Sequence, residues 1–148
     1  RFNSDHVRPM GRSSYGVKGV DLGKTDAVVS LMEIAKDGKT TVLTITEHGY
    51  GKRSDLEDYR ITARAGKGVI NLKTTDKTGN IISSVSVNDK DSIIITTTQG
   101  MTIRVTMKEL RVMGRATQGV RIVRLKERDK VADVVKVAMV AEIPVISV

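Results

Sequence analysis

The sequence predicts an all-β protein built from a repeated unit, and three observations carry that expectation. First, Val and Ile together number 33 of the 148 residues, whereas Leu contributes 7. With 15 Thr added, about a third of the chain is β-branched. Such side chains are stiff at χ1 and suit a pleated surface better than a helix. Second, the chain repeats itself every 51 to 52 residues. Third, the apolar runs are short and separated by turn residues, which is the pattern of strands.

The repeat is defined by arginine and glycine. Arg8, Arg60 and Arg111 fall in register, as do Arg12, Arg64 and Arg115, and each pair is followed by Gly16-Val17, Gly68-Val69 or Gly119-Val120. Each copy therefore reads R-x-x-x-R-x-x-x-G-V. Thr46, Gly49 and Arg53 recur as Thr97, Gly100 and Arg104, so 8 of the 12 arginines occupy these registers. A period near 50 suits a four-stranded propeller blade. The units run from about 12 to 63, 64 to 114 and 115 to 148, giving about two and a half to three blades. A closed propeller takes 4 to 8, so the chain is expected to be a fragment of a larger protein.

In the first unit the strand signals are Gly16–Leu22, Val28–Ile34, Thr41–Thr46 and Tyr50–Arg53. In the second they are Val69–Thr74, Ile81–Val87, Ser92–Thr98 and Met101–Met107, and in the third Val120–Leu125 and Val131–Val137. Asp37-Gly38 and Thr78-Gly79-Asn80 supply turns, while His48-Gly49 and Gln99-Gly100 mark the tight hairpins. Ser54-x-x-Glu57 has the form of a capping box, yet so little follows it that a single helical turn over Asp55–Tyr59 is expected, matched in register by Lys108–Leu110. The apolar stretch Ala138–Val148 has no assigned role.

Several chemistries are excluded. There is no Cys, hence no disulfide, thiolate metal site or cysteine nucleophile. The two histidines, His6 and His48, lie too far apart in sequence for a paired-histidine metal motif. No apolar run approaches the roughly 20 residues that span a bilayer, so a cytoplasmic protein without a membrane partner is expected. Gly49-Tyr50-Gly51-Lys52-Arg53-Ser54 lacks phosphate-loop spacing and follows a hairpin turn. No acid–base arrangement recurs, and Tyr15, Tyr50 and Tyr59 read as packing residues.

The charge is informative in combination with the repeat. There are 25 Lys+Arg against 17 Asp+Glu, a net of +8, with the first unit neutral and the excess in the later two. Cations recurring at one place on successive blades form a track that neutralises duplex phosphates and releases counterions. Arginine suits this because its planar fork can hold two phosphate oxygens. The only aromatics are Phe2 and the three tyrosines, too few for a base-stacking platform, which favours duplex over single strands. A recurring Arg can instead bridge neighbouring blades through an acid or through strand-end carbonyls. That alternative stands open for Arg8, Arg60 and Arg111. For Arg12, Arg64 and Arg115, set among small residues, phosphate contact is the expectation. The candidate DNA-binding set is Arg12, Lys18, Lys52, Arg53, Arg64, Lys67, Arg104, Arg115 and Arg121.

Val7-Arg8-Pro9-Met10-Gly11-Arg12, Gly16-Val17-Lys18-Gly19-Val20 and Thr46-Glu47-His48-Gly49-Tyr50-Gly51-Lys52-Arg53 resemble the C-terminal domain of DNA gyrase A. Gly114-Arg115-Ala116-Thr117-Gln118-Gly119-Val120-Arg121 resembles the last-blade motif of that family. The resemblance implies a β-pinwheel, a propeller-like ring of four-stranded blades that exchange a strand, around whose basic rim duplex DNA bends. It further implies a nucleoid-associated parent, a type IIA topoisomerase in which gyrase A and gyrase B polypeptides together use ATP and Mg²⁺ to introduce negative supercoils. The family's wrapping motif Gln-Arg-Arg-Gly-Gly-Lys-Gly is only partly kept in Ala63-Arg64-Ala65-Gly66-Lys67-Gly68, so the chain resembles the later blades. The family's active-site tyrosine and ATPase motifs are absent, and no catalysis or cofactor is expected of this chain. Two other readings compete: the C-terminal domain of topoisomerase IV, and a protein-interaction propeller.

Overall fold

The computed structural model describes residues 1–34 and 40–137. Among them the regular structure is β, apart from three 3₁₀ turns at Ser4–His6, Leu56–Asp58 and Met107–Glu109. The strands are β1 (Thr41–Thr46), β2 (Tyr50–Asp55), β3 (Ile81–Val87), β4 (Ser92–Thr97), β5 (Thr102–Thr106), β6 (Val120–Arg121) and β7 (Val131–Val137). They form two antiparallel sheets, ordered β3-β1-β2-β6 and β5-β4-β7.

Each sheet is a mixture of units. A hairpin of one unit (β1–β2 or β4–β5) pairs on one side with the second strand of the next unit (β3 or β7). On its other side β2 takes β6, from the unit after that. The two sheets repeat each other in detail: the ladder shifts register at Ile45/Thr46 in one and at Thr96/Thr97 in the other. Both hairpins turn on a glycine in the left-handed region, Gly49 at φ 77° and Gly100 at φ 85°, each donating its N–H back to a threonine carbonyl at 3.0 Å.

This exchange explains which expected strands form. The hairpin strands, β3 and β7 appear within a residue or two of the expected bounds. Gly16–Leu22, Val28–Ile34 and Val69–Thr74 are not strands, and only the first two residues of Val120–Leu125 join a ladder. The first strand of a unit pairs with a hairpin two units earlier, and no described residues supply that hairpin for the first and second units. Asp37-Gly38 and Ala138–Val148 lie outside the described residues. The expected helical turn is the 3₁₀ turn Leu56–Asp58, but Ser54 makes no capping box: it is buried beneath the sheet, where Lys52 donates to its hydroxyl.

Alternation along β1 separates two faces. Leu43 and Ile45 face the other sheet and join Val87, Ile93, Ile95, Met107, Val123, Val131 and Val134 in one apolar core. Thr44 faces the opposite way, into a hydrogen-bonded layer in which its hydroxyl and that of Ser84 are 3.0 Å apart and Asn71 Nδ2 donates to Thr44 at 2.8 Å. Tyr59 closes this layer, donating its hydroxyl to Asn71 Oδ1 at 2.5 Å. Burial holds the Tyr59 phenol above the usual range. Tyr50 and Tyr59 are packing residues as expected, whereas Tyr15 is fully exposed and is not.

Two glycines let the third unit dock on the first. Gly119 has φ 75°, and a Cβ there would run into the carbonyl of Gly51 across the strand pair. A Cβ on Gly51 would lie 2.5 Å from Thr44 O and 2.6 Å from Ile122 Cδ1. Gly68 holds the same backbone conformation, φ 79°, in open space. Gly119→Ala is therefore expected to lower unfolding free energy by about 3 kcal/mol or more, through backbone strain plus loss of the β6 pairing. Gly68→Ala should cost only the roughly 1–2 kcal/mol of the left-handed backbone. Equal urea midpoints for the two variants would contradict the docking role.

Candidate nucleic-acid interface

The recurring arginines are first of all structural. Arg53 is 3% exposed on β2. Its Nε donates to Thr41 Oγ1 at 3.0 Å, Nη1 to the carbonyls of Met107 at 2.9 Å and Leu110 at 3.4 Å, and Nη2 to Asp89 Oδ1 at 2.8 Å. The guanidinium thus latches the 3₁₀ turn of the second unit onto the hairpin of the first. Arg1, one period earlier, does the same to the preceding turn, with Nη1 donating to Leu56 O at 2.9 Å and Tyr59 O at 3.3 Å. Arg104, one period later, keeps the hydroxyl contact (Nη2 to Ser92 Oγ, 3.3 Å) but is otherwise exposed.

Arg64 and Arg115 form a second set of joints. Arg64 Nε donates to His6 O at 3.3 Å and Nη1 to Lys18 O, while Arg115 Nε donates to Asp58 O at 3.1 Å and Nη1 to Ile70 O. The four acceptors recur with the same period as the donors. Backbone bonds reinforce each joint, from Asp21 N to Gly66 O and from Lys73 N to Thr117 O, both at 3.0 Å. A bridge to backbone carbonyls of a neighbouring segment, set aside above for this register, is the geometry found at Arg64 and Arg115, with acceptors in 3₁₀ turns and irregular segments and not at strand ends. Both remain partly exposed. Arg12, the register's first member, is exposed and makes no hydrogen bond to the described residues.

Lys52 and Arg53 leave the candidate set, because neither reaches solvent. Lys52 is 1% exposed, bonded to Ser54 Oγ beneath the sheet, with its pKa depressed to about 8. Burial is the main cause; Asp58 opposes the shift and Arg115 adds to it. The Gly-Lys-Arg-Ser stretch therefore offers no cradle for a nucleotide phosphate. Since the folded pKa lies below the unfolded value of 10.5, the folded state binds fewer protons between pH 8 and 10.5, and stability rises with pH across that window. The penalty is in full force below pH 8. Lys52→Met should raise unfolding free energy at pH 7 by on the order of 2–3 kcal/mol and flatten the rise between pH 8 and 10. A less stable variant at pH 7 would show the ammonium to be satisfied in place.

The cations left facing solvent gather elsewhere. From β6 onward the chain presents Arg121, Arg124, Lys126 and Arg128, all exposed, with Ile122, Val123 and Leu125 turned inward between them. Arg124, Lys126 and Arg128 side chains have no hydrogen-bond partner among the described residues. The turn that follows is fixed by Asp129: its Oδ1 accepts from Thr98 Oγ1 at 2.9 Å and from the Gln99 and Lys130 backbone at 3.0 and 2.9 Å. Burial pushes this carboxyl up, but those bonds and one from Thr97 outweigh it and leave the pKa below the usual value. Asp129 thereby seats Arg128 on the tip of the β4–β5 hairpin. Lys77 sits at the equivalent tip of β1–β2, where Thr78 O accepts from His48 N at 3.3 Å. Sequence reasoning passed over Lys77, Arg124, Lys126 and Arg128; the signal available was four cations within eight residues after Gly119. Of the expected set, Lys67 is exposed, and Lys18 is exposed but ion-paired with Asp21.

Sheets assembled from two or three successive units, with arginines at the junctions and exposed cations on the segment that follows the closing strand β6, define a propeller-type repeat domain. The family model described as DNA gyrase C-terminal domain, beta-propeller, matches residues 1–35, 40–88 and 91–138. The chain belongs to that family. It is 43% identical over 139 residues to the DNA gyrase A polypeptide of Chlamydia pneumoniae, covering 93% of this chain and 16% of that protein. It thus spans about one sixth of the length of that relative. Among solved structures it superposes on a DNA gyrase A C-terminal domain with TM-score 0.82 and 26% identity, over 91% of this chain and 45% of the other. The C-terminal domain of DNA topoisomerase IV matches with TM-score 0.85 and 25% identity, over 93% and 42%. Among the described residues, no helix is long and apolar enough to cross a membrane, and no cluster of three or more His, Asp or Glu could hold a metal ion.

Proposed function

We propose that this chain binds duplex DNA through its phosphates and bends it, as part of a gyrase that introduces negative supercoils. The observation that carries the reading is the run Arg121, Arg124, Lys126 and Arg128, which is exposed from the end of β6 through the irregular segment that follows it. Exposed cations with no ion pair interact with phosphates at little desolvation cost, and they carry no base-edge code, so binding is tolerant of sequence. The arginine joints serve the same end indirectly by fixing the angle between one blade and the next, which sets the curvature a bound duplex must follow. Bending 20–30 base pairs costs on the order of 1–6 kcal/mol, an amount that several charge-assisted contacts offset. Gyrase, rather than topoisomerase IV, is supported by the name of the relative at 43% identity; the superpositions match both folds alike. ATP, Mg²⁺ and the gyrase B polypeptide would act on other parts of such an enzyme.

The test is a salt titration with two duplexes of unrelated sequence. If at least four phosphates are engaged, log K should fall with log salt with a slope of about −3.6 or steeper, equally for both. Ends labelled for energy transfer should approach each other on binding. Affinity independent of salt, or confined to one of the two sequences, would overturn the proposal.

A further inference from the structure

Three repeat units meet at one aromatic ring. Tyr50, in the first unit, opens β2 and is 9% exposed. Arg121, in the third unit, is its direct cross-strand neighbour on β6, with Cζ 5.4 Å from the ring centroid and Nη2 donating to the phenol oxygen at 2.9 Å. Lys77, in the second unit, places Nζ 5.5 Å from the same centroid. Cations at such distances are held by the ring's negative face.

The position of Lys77 is imposed by the turn that carries it. Thr78 Oγ1 accepts from Thr75 N at 2.9 Å, Asn80 N donates to Glu47 Oε1 at 2.9 Å, and Lys77 O lies 3.3 Å from His48 Nδ1. The ammonium and the guanidinium are thus brought within about 11 Å of each other on opposite sides of a unit boundary. Neither forms an ion pair among the described residues. The nearby acid Glu47 is already engaged by Lys130 at 2.8 Å, with its pKa lowered chiefly by that bond. The phenol acidity is raised, first by the Arg121 hydrogen bond and further by the charges of Arg121 and Lys77, so both cations bear on one oxygen. Two unneutralised cations about one ring repel each other, and an anion that joins them relieves that repulsion. Tyr50 has no aromatic counterpart one period later, where the chain has Met101, so the arrangement is peculiar to this junction.

We infer that Lys77 and Arg121, aligned on Tyr50, form a phosphate clamp spanning three repeat units, which takes a backbone phosphate of DNA and tightens the docking of β6 on β2. This rests on the DNA-binding reading for the source of the phosphate, but the clamp can be tested apart from it. A ligand held across the junction stabilises the folded chain by mass action.

Two measurements on the wild type, Lys77→Ala and Tyr50→Phe decide the matter. In the first, binding to a 30-base-pair duplex is followed against salt. Lys77→Ala should lose about 3- to 10-fold in affinity and reduce the slope by about 0.9. Tyr50→Phe keeps both charges, so its slope should match the wild type while its affinity falls about 3-fold, because Arg121 is no longer aimed. If the wild type binds DNA and both variants bind equally well, the clamp is wrong and the DNA reading survives. In the second, thermal unfolding is recorded with inorganic pyrophosphate as the probe. A midpoint raised in the wild type and unmoved in Lys77→Ala supports the clamp even if no DNA binding is seen, an outcome that would sink the DNA reading alone. No pyrophosphate shift in any of the three proteins, together with unchanged DNA binding, overturns it.

Discussion

Replacing Arg53 by Met is expected to cost about 3–5 kcal/mol of stability, the range found when one partner of a buried charge network is removed. The volume is nearly kept, so the loss is not a cavity effect. What changes is that the Met107 and Leu110 carbonyls and the Thr41 hydroxyl lose the buried donor that satisfied them. The 3₁₀ turn Met107–Glu109 then keeps its own backbone bond and that from Met107 N to Asp91 O at 3.0 Å but loses its tie to β2, and the chain beyond it loosens along β2, where Met113 N donates to Arg53 O at 2.8 Å. Hydrogen exchange at Met113 should accelerate. Arg104→Met provides the contrast: the same residue one period later, exposed and with one weak bond, should change stability by no more than about 0.5 kcal/mol. Urea unfolding of the two variants reads the difference directly. A loss below about 1 kcal/mol for Arg53→Met would mean that the latch is redundant.

The larger effect on binding is expected from the segment that follows β6. Converting Arg124, Lys126 and Arg128 together to Glu removes three phosphate contacts and adds three repulsions, while touching no hydrogen-bonded partner among the described residues. Duplex affinity near 0.1 M salt should fall on the order of 10²- to 10³-fold, and the salt slope should shrink by about 2.7. Thermal unfolding should move by a few degrees at most, since exposed substitutions of this kind are individually small. Lys90→Glu with Lys108→Glu changes charge at the opposite ends of the strands and controls for net charge. If that pair weakened binding as much as the triple change, attraction would be general rather than seated on this segment.

The hairpins are readable in the sequence because their information is local. Thr41–Thr46 and Ser92–Thr97 are short β-branched runs that each end at a glycine turn, a signal carried by neighbouring residues alone. The first strand of each unit is not readable as a strand or non-strand, since its ladder partner lies about 70 residues away, in another unit, and its own residues say nothing of whether that partner is present. The repeat itself is visible, and with it the family. The roles of the recurring cations are not. Charge class suggests a surface residue, and Lys52 and Arg53 look no different in sequence from Arg124. What distinguishes Arg53 is a recurring turn whose carbonyls, 54 and 57 residues ahead, need a donor, and Arg1 with Leu56 and Tyr59, 55 and 58 residues ahead, shows nearly the same spacing one period earlier. A strictly repeated charge marks the joints. The cations open to a ligand, Lys126 and the Lys77–Arg121 pair, recur less faithfully.

Strand exchange also sets a timetable during synthesis. The outer edge of β2 leaves the ribosome with Asp55 and stays bare until Val112 and then Val120 follow, the first about 57 residues later. At roughly 5–20 residues per second that is about 3 to 11 seconds in which the edge could recruit another nascent chain. Lys52 and Arg53 sit in the middle of that edge. Buried in the finished protein, they are charged and hydrated while it waits, and a hydrated cation is a poor companion for a foreign strand. The ammonium that costs stability in the native state is thus solvated for the whole of that interval.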